Sequence, residues 1–362
     1  MKINELLPLA KIHGRTVYDE EKEALYCNWT CSGFTVGVTG RYLKVKVIAD
    51  SDQIAGFPGG PTPPADWPCI GAEVNDELIN RHECRNTEPE WLTMWESEEP
   101  ATVNVRVMKL SENARGKLAI LEVETDGEFH KYEDNKKTIE LVGDSITCGF
   151  GIEAPDNAFM FKTSEENGWI TYGALAAREL GYEYSMICES GINAARPEHP
   201  LWEMHAMEDV YEYTDELYAK KYGKPLEKWD FEAHHNDIVV LNLGTNDNNP
   251  IKFYRNFNDI EPMENWFHAR YKEFVKQVRR CNGPETVIIC SLGSIDTYLY
   301  HHIKEVVAEL RRETGDEKLF CFEYIPLNVM MEGIGAAGHP SAKTHVRMGK
   351  ELANYIRKFL GE

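Results

Sequence analysis

The sequence predicts an α/β protein: a parallel β-sheet with helices on both faces, preceded by an N-terminal β-sandwich of the jelly-roll type. Two patterns lead to this prediction. Up to about residue 133, apolar and polar residues alternate with period two, which is typical of strands with one buried face. After that, short apolar runs alternate with helical stretches, which is typical of βαβ units. We therefore expect domains at residues 1–133 and 134–362.

The first domain carries its strands between turn-rich stretches. The alternation is clear at Phe34–Val38, Leu43–Val47 and Val103–Val107. Prolines and glycines crowd the stretch Phe57–Trp67. Several short strands with this spacing indicate a sandwich or jelly roll.

The second domain alternates strands and helices. Apolar runs predict strands near 138–142, 184–188, 237–243, 286–291 and 318–323. Helical patterns lie near 167–181, 264–281, 298–313 and from about His345 to Leu360. The stretch from Pro197 to His235 is long for one connection, and we expect some helix there, in the wall of a site.

Composition excludes several classes of partner. The chain has 362 residues and a formal net charge of -21. Nucleic acid and anionic membrane would be repelled, since no run of Lys or Arg forms a basic patch. The N-terminus has no segment like a signal peptide, and no apolar run is long enough to span a bilayer. We expect a cytoplasmic protein, and a homo-oligomer remains open.

The cysteines support a reducing compartment. There are nine, an odd number, and several lie in apolar runs that resemble strands. This pattern favours buried free thiols over a disulfide framework.

A serine follows directly on the first predicted strand of the second domain. That strand ends at Gly143, and Asp144 and Ser145 come next. In an open α/β sheet, ligands bind at the carboxyl ends of the strands, so the hydroxyl of Ser145 is placed to meet a substrate. Taken alone the triplet is a weak signal, because such residues often form a simple turn.

Three further positions fall where a reactive serine would need partners. Gly191 and Asn246 each follow a predicted strand, and His339 precedes the C-terminal helical segment. Acyl transfer needs a hydroxyl nucleophile, an imidazole to take its proton, and donors aimed at the developing oxyanion. We interpret Ser145 as the nucleophile and His339 as the base. The main-chain amides of Ser145 and Gly191, with the side chain of Asn246, are the candidate oxyanion donors.

The four segments that contain Ser145, Gly191, Asn246 and His339, in this order, resemble the four sequence blocks of the SGNH (GDSL-type) hydrolases. The segment Gly143–Gly151 is similar to the first block of carbohydrate esterase family 2, and Leu243–Asp247 and His339–Ser341 also fit. The resemblance implies a flavodoxin-like catalytic domain behind a β-rich domain. It also implies an acetyl xylan esterase-like enzyme that works through an acetyl-serine intermediate without a cofactor. Its substrate would be an acetylated plant cell-wall polysaccharide or oligosaccharide.

Two alternatives to this function remain open. An acyl-thioesterase or lysophospholipase could use the same scaffold. A non-catalytic carbohydrate-binding protein could retain an inactive hydrolase domain.

One position departs from the superfamily pattern. Members usually carry an Asp three residues before the catalytic His, where this chain has Ala336. Some family 2 enzymes are similar in using a Ser–His dyad that a main-chain carbonyl orients, and we favour this arrangement. Glu332 is the nearest acidic side chain upstream and remains an alternative third member of a triad.

The remaining candidates are weaker. Trp169, Trp202 and Arg196 follow the first two blocks and are candidates for substrate contact, since aromatic faces stack on sugars. We interpret Asp144, Asp247 and His345 as structural residues.

No metal or dinucleotide site is expected. The chain lacks a His-Glu-x-x-His motif and paired Cys-x-x-Cys motifs, and adjacent histidines such as His301-His302 diverge on a helix. Gly149–Ala154 matches a dinucleotide-binding pattern by chance, because Pro155 interrupts the helix that such a site needs.

Overall fold

The computed structural model describes residues 1–52, 65–196, 205–257 and 259–360. The chain divides into two compact units. The first unit comprises Met1–Lys136, Phe161–Trp169 and Thr214–Leu226. The second comprises Lys137–Met160, Ile170–Tyr213 and Glu227–Glu362.

The strands and helices have the following bounds. The strands are β1 (Lys11–His13), β2 (Val17–Asp19), β3 (Ala24–Tyr26), β4 (Gly33–Asp50), β5 (Cys69–Val74), β6 (Glu77–Glu83), β7 (Glu90–Lys109), β8 (Lys117–Glu124), β9 (Glu128–His130), β10 (Thr138–Gly143), β11 (Glu183–Cys188), β12 (Ile238–Asn242), β13 (Val287–Leu292) and β14 (Leu319–Glu323). The α-helices are α1 (Ile3–Leu6), α2 (Ser145–Cys148), α3 (Tyr172–Leu180), α4 (Met207–Val210), α5 (Glu216–Tyr222), α6 (Asn248–Tyr254), α7 (Glu261–Asn282), α8 (Tyr300–Thr314), α9 (Val329–Glu332) and α10 (Ala342–Leu360). Short 3₁₀ helices lie at Thr163–Glu165, Gly168–Ile170 and Ala336–Gly338.

The first unit is built on an antiparallel sheet. Within the described residues the sheet has nine strands, in the order β2-β3-β8-β4-β7-β5-β6, and β1 and β9 also pair with β4. The expectation of a β-rich N-terminal region is confirmed. The two strands predicted at 34–38 and 43–47 are halves of β4, which runs on through a register shift between Gly40 and Tyr42.

A buried lysine connects main-chain segments of this unit. Lys109, at the end of β7, is fully buried, and its Nζ donates hydrogen bonds to the carbonyls of Asn28 (2.9 Å), Ser111 (3.0 Å) and Glu112 (2.5 Å). Burial lowers the pKa of this ammonium group to about 8. The three carbonyls compensate for the loss of water around the charge.

The second unit contains a five-stranded parallel sheet in the order β11-β10-β12-β13-β14. This is the doubly wound order, in which right-handed crossovers carry helices to opposite faces on either side of the first strand. Helix α3 packs with α10, and α7 packs with α8. Every residue of β12 is buried, as expected for a strand covered on both faces. The predicted parallel sheet flanked by helices is confirmed.

Several helices begin at residues other than the predicted ones. Helix α3 begins at Tyr172 rather than near 167, and a 3₁₀ helix at Gly168–Ile170 precedes it. The Asn167 side chain accepts a hydrogen bond from the amide of Trp169 at 3.1 Å, a local bond that competes with regular helix. In the long connection after Pro197, the described part contains α4 and α5.

The described part of the chain contains no disulfide bond. Seven of the nine cysteines are buried. No described helix is both long enough and apolar enough to cross a bilayer.

Strand register brings three loops to one edge of the parallel sheet. Gly143, the last residue of β10, pairs with Cys188 at the end of β11 and with Asn242 at the end of β12. The segments that follow these three strands carry Ser145, Gly191 and Asn246.

Candidate active site

The turn after β10 holds Ser145. Ser145 is the first residue of α2, and the carboxylate of Asp144 caps this short helix by accepting a hydrogen bond from the amide of Ile146 at 3.0 Å. A Cβ on Gly143 would lie 2.0 Å from Oγ1 of Thr147, so only glycine fits where the turn closes. The side chain of Ser145 is therefore held by a tight strand-to-helix turn at the sheet edge.

His339 lies within hydrogen-bond distance of this serine. Its Nε2 is 2.9 Å from Oγ of Ser145, and its Nδ1 is 3.1 Å from the carbonyl oxygen of Ala336. When Nδ1–H donates to that carbonyl, Nε2 carries the lone pair and accepts the serine proton. The structure thus brings the two predicted residues together with a main-chain acceptor behind the imidazole.

A short turn positions the imidazole. The 3₁₀ helix Ala336–Gly338 precedes His339 and contains two left-handed residues, Ala337 (φ 47°) and Gly338 (φ 80°). The amide of Ala337 donates to the carbonyl of Ala158 at 2.7 Å, and the carbonyl of His339 accepts from the amide of Gly335 at 2.8 Å. These bonds fix the backbone on both sides of the ring.

Phe150 packs on the His339 ring, a contact that sequence reasoning missed. The two rings are stacked, with centroids 4.1 Å apart and an interplanar angle of 23°. The backbone amide of Phe150 donates to the carbonyl of Ser145 at 3.1 Å, so the same turn holds both residues. The position of Phe150 within the first block was the available signal.

The carboxylate of Glu332 forms its hydrogen bonds with Arg347 and Thr344. Its carboxylate accepts hydrogen bonds from the Arg347 guanidinium (2.5 and 3.1 Å) and from Oγ1 of Thr344 at 3.0 Å. The hydrogen bond from Arg347 is the main cause that lowers the pKa of this carboxyl below its usual value. Nδ1 of His339 instead contacts the carbonyl oxygen of Ala336.

The segment with Gly191 is braced by a buried carboxylate. Gly191 has a φ of 84°, in the left-handed region that favours glycine. Three and four residues further on, the amides of Ala194 and Ala195 donate to the Asp247 carboxylate at 2.9 and 3.1 Å. Burial raises the pKa of Asp247 to about 7. These hydrogen bonds favour the interpretation of Asp247 as a residue that holds loops.

A second clasp on this segment was also missed. Nδ1 of His205 lies 3.1 Å from both carboxylate oxygens of Glu189, two residues before Gly191. The amide of Asn193 also donates to the carbonyl of His205 at 3.0 Å. The two partners are 16 residues apart in the chain, an interval that matches no local hydrogen-bonding pattern, so sequence spacing offered no signal.

The Asn246 side chain lies between the other two loops. Its Nδ2 donates to the carbonyl of Ile192 at 3.0 Å and is 3.5 Å from Oδ2 of Asp144. Ile192 follows Gly191 and Asp144 precedes Ser145, so this amide adjoins both other candidate donors. Burial is the main cause that raises the pKa of Asp144 to about 7, and the nearby Asp247 also raises it.

The weaker candidates lie in different settings. Arg196 is exposed and pairs with Asp209, with Nη2 and Oδ2 2.7 Å apart, which favours a loop-holding role. Trp169 belongs to the first unit, where its Nε1 donates to Glu73 at 2.6 Å. Trp202 lies outside the described residues. His345 is buried in α10 and accepts a hydrogen bond from the amide of Tyr172 at 3.2 Å, which favours a structural role.

The sequence matches one family model and several curated proteins. Residues 141–347, more than half of the chain, match the model described as the GDSL-like Lipase/Acylhydrolase family. The chain is 33% identical over 235 residues to the cellulase/esterase CelE of Acetivibrio thermocellus, covering 62% of this chain but only 26% of that protein. It is 26% identical over 280 residues to an acetylxylan esterase / glucomannan deacetylase of Cellvibrio japonicus, covering 74% of this chain and 72% of that protein.

Solved structures share the fold over nearly the whole chain. A family two carbohydrate esterase from Clostridium thermocellum, in complex with cellohexaose, aligns with a TM-score of 0.81 at 24% identity and covers 97% of this chain and 99% of that one. The acetyl xylan esterase Est2A from the rumen bacterium Butyrivibrio proteoclasticus aligns with a TM-score of 0.84 at 22% identity, covering 100% and 98%. At these identities the likeness establishes the fold alone.

Phe150→Ala should slow the reaction of Ser145 with a fluorophosphonate by about 10-fold, because an imidazole without its stacking partner spends less time aligned with the hydroxyl. Phe150→Tyr keeps the stacked ring and should retain the wild-type rate. Labelling kinetics followed by intact mass spectrometry measure both variants, and thermal unfolding checks that they are folded. Equal rates for Phe150→Ala and the wild type would show that the stacked ring does not position the base.

Proposed function

The chain belongs to the GDSL-like lipase/acylhydrolase family, and on this premise we propose that it is a serine esterase that removes O-acetyl groups from plant cell-wall polysaccharides or their oligosaccharides. The contact of 2.9 Å between Ser145 Oγ and His339 Nε2, at the aligned ends of the strands, carries the proposal. The names of the relatives, which include acetylxylan esterase and glucomannan deacetylase, support acetylated carbohydrate as the substrate class.

In the proposed acylation step, His339 takes the proton of Ser145 as Oγ attacks the acetyl carbonyl carbon. The Nδ1–H bond to the carbonyl of Ala336 holds the tautomer in which Nε2 is the acceptor. The resulting imidazolium then gives its proton to the sugar oxygen as the C–O bond breaks. The sugar alcohol leaves, and the acetyl group remains on Ser145.

The oxyanion would be held by three N–H donors: the amides of Ser145 and Gly191 and the Nδ2 of Asn246. The side-chain amide adjoins both loops, and it can keep its bond to Ile192 while its second N–H leaves the long contact with Asp144, 3.5 Å, to donate to substrate. Water then attacks the acetyl-enzyme with His339 as base, and acetate leaves. In each step the imidazole takes the proton of the attacking oxygen and gives it to the departing oxygen. The departing oxygen is that of the sugar in the first step and Oγ of Ser145 in the second.

We further propose that the N-terminal sheet adopts a jelly-roll arrangement and contributes carbohydrate contacts. A cavity of about 400 Å³ in this unit is lined by Trp95, Ile79 and side chains from Asn75, Glu77, Asn80 and Glu96. Amide and carboxylate groups beside an indole are the chemistry that recognises sugar hydroxyls.

Ser145→Ala should reduce acetate release from acetylated xylan by at least ~10³-fold, as loss of a catalytic nucleophile does, while thermal unfolding stays unchanged. In the same assays the wild type should prefer p-nitrophenyl acetate over the octanoate. Turnover retained in the variant would refute the site. Preference for the octanoate would instead favour a thioesterase or lysophospholipase.

Asn246→Ala should lower kcat by ~10²–10³-fold with little change in KM, because the lost donor acts on the transition state. Asn249→Ala is a matched control, since this amide lies in the following helix and its one side-chain hydrogen bond among the described residues is to Oδ1 of Asn246, at 3.5 Å. Steady-state kinetics on p-nitrophenyl acetate measure both. Similar kcat values for Asn246→Ala and the wild type would remove Asn246 from the mechanism.

Glu332→Gln should change kcat by less than ~3-fold, whereas loss of a true triad acid costs ~10⁴-fold. Glu351→Gln is the control, because Glu351 also pairs with Arg347, at 2.7 Å, but lies further along α10. If kcat collapses in Glu332→Gln and not in Glu351→Gln, Glu332 rather than the carbonyl of Ala336 supports the imidazole.

A further inference from the structure

Helices α7 and α8 bring three potential metal ligands together in the second unit. His268 lies on α7, and His302 and Glu305 lie on α8. One ligand atom from each of the three side chains lies within 4.8 Å of the others. We propose that these three residues form a binding site for Zn²⁺, separate from the Ser145–His339 pair, that joins the two helices.

The spacing of the two imidazoles fits a shared ion. The Nδ1 atoms of His268 and His302 are 3.3 Å apart. Two nitrogens on one tetrahedral Zn²⁺, at Zn–N distances of about 2.0–2.1 Å, are separated by roughly 3.3–3.4 Å. The same distance also allows an N–H···N hydrogen bond, in which one ring nitrogen donates to the other. An ion between the rings would use both lone pairs, whereas a hydrogen bond uses only one.

A carboxylate stands behind the first imidazole. Nε2 of His268 lies 3.4 Å from Oε2 of Glu309, and Nζ of Lys272 donates to that same oxygen at 2.7 Å. Imidazoles that bind metal through one nitrogen generally donate their other N–H to a carboxylate or carbonyl, which fixes the tautomer. Glu309 therefore directs the Nδ1 lone pair of His268 toward His302.

The second imidazole, that of His302, makes its polar contact through Nδ1, the atom nearest to His268. His302 is buried, and within the described residues its Nε2 has no hydrogen-bond partner. Its Nδ1 is therefore the atom that gains a partner, from His268 or from an ion.

Glu305 completes a set of three protein ligands. It lies three residues after His302, so the two side chains share a face of α8. Glu305 is exposed, which leaves a fourth position to water, as in other zinc sites with three protein ligands. Glu264, four residues before His268, adds negative charge that acts on the His302 ring. This acidic surrounding favours a divalent cation.

The test uses the untagged full chain, freed of metal by chelation and titrated with Zn²⁺ by calorimetry and with Co²⁺ by absorption spectroscopy. We expect one Zn²⁺ per chain, a rise in Tm on binding, and Co²⁺ bands of a four-coordinate site. His268→Gln, a substitution at a half-buried position, should abolish binding, and Glu309→Gln should weaken it by about 10–100-fold.

His301→Gln is the matched control, because His301 is exposed on the same helix and its Nδ1 is 2.8 Å from the carbonyl of Tyr298. This variant should bind Zn²⁺ as the wild type does. Absence of stoichiometric binding in the wild type would overturn the proposal. So would binding that persists in His268→Gln, or binding that His301→Gln loses to the same extent.

Discussion

The register of three neighbouring parallel strands is the constraint on which the candidate site depends. Gly143 pairs with both Cys188 and Asn242, so the segments after β10, β11 and β12 begin at the same level of the sheet. A shift of one residue would turn each side chain to the other face of its strand and move the loops apart. Buried packing on both faces of β12 resists such a shift. The positions of Ser145, Gly191 and Asn246 thus follow from burial of apolar strands some distance from the chemistry.

Much of this arrangement could be predicted from the chain alone. Continuous apolar runs identified the parallel strands, and the order of the four blocks identified Ser145 and His339 as partners. The partners that support them were harder to find. Phe150 and His339 are in contact although they lie near opposite ends of the domain's sequence. His268 and His302 are in contact although they lie on different helices. Segments 161–169 and 214–226 carry no pattern that would attach them to the first unit. Contacts of this kind depend on tertiary packing, which periodicity does not encode.

The support behind His339 differs in kind from that of a Ser-His-Asp triad. A carboxylate both orients an imidazole and stabilises the imidazolium by its charge. The carbonyl of Ala336 accepts the Nδ1–H bond but carries only a partial charge. Stacking on Phe150 fixes the plane of the ring and can attract the cationic form through its π face. In the proposed mechanism, two neutral groups, the carbonyl of Ala336 and the ring of Phe150, therefore orient the imidazole. They stabilise the imidazolium in the transition state less than a carboxylate would.

In the proposed mechanism, the weaker charge behind the base makes the oxyanion donors more important for catalysis, and several hydrogen bonds hold the loops that carry these donors. Asp247 binds the amides of Ala194 and Ala195, Glu189 contacts His205, and Asp144 caps α2. Donors that are already fixed cost no reorganisation when the negative charge develops. The acidic residues beside the site thus act on loop geometry, and the raised pKa of Asp144 and of Asp247 reflects how deeply these braces are buried. In the proposed mechanism, these buried carboxylates therefore preorganise the loops of the oxyanion donors, whereas the carbonyl of Ala336 and the ring of Phe150 orient the base.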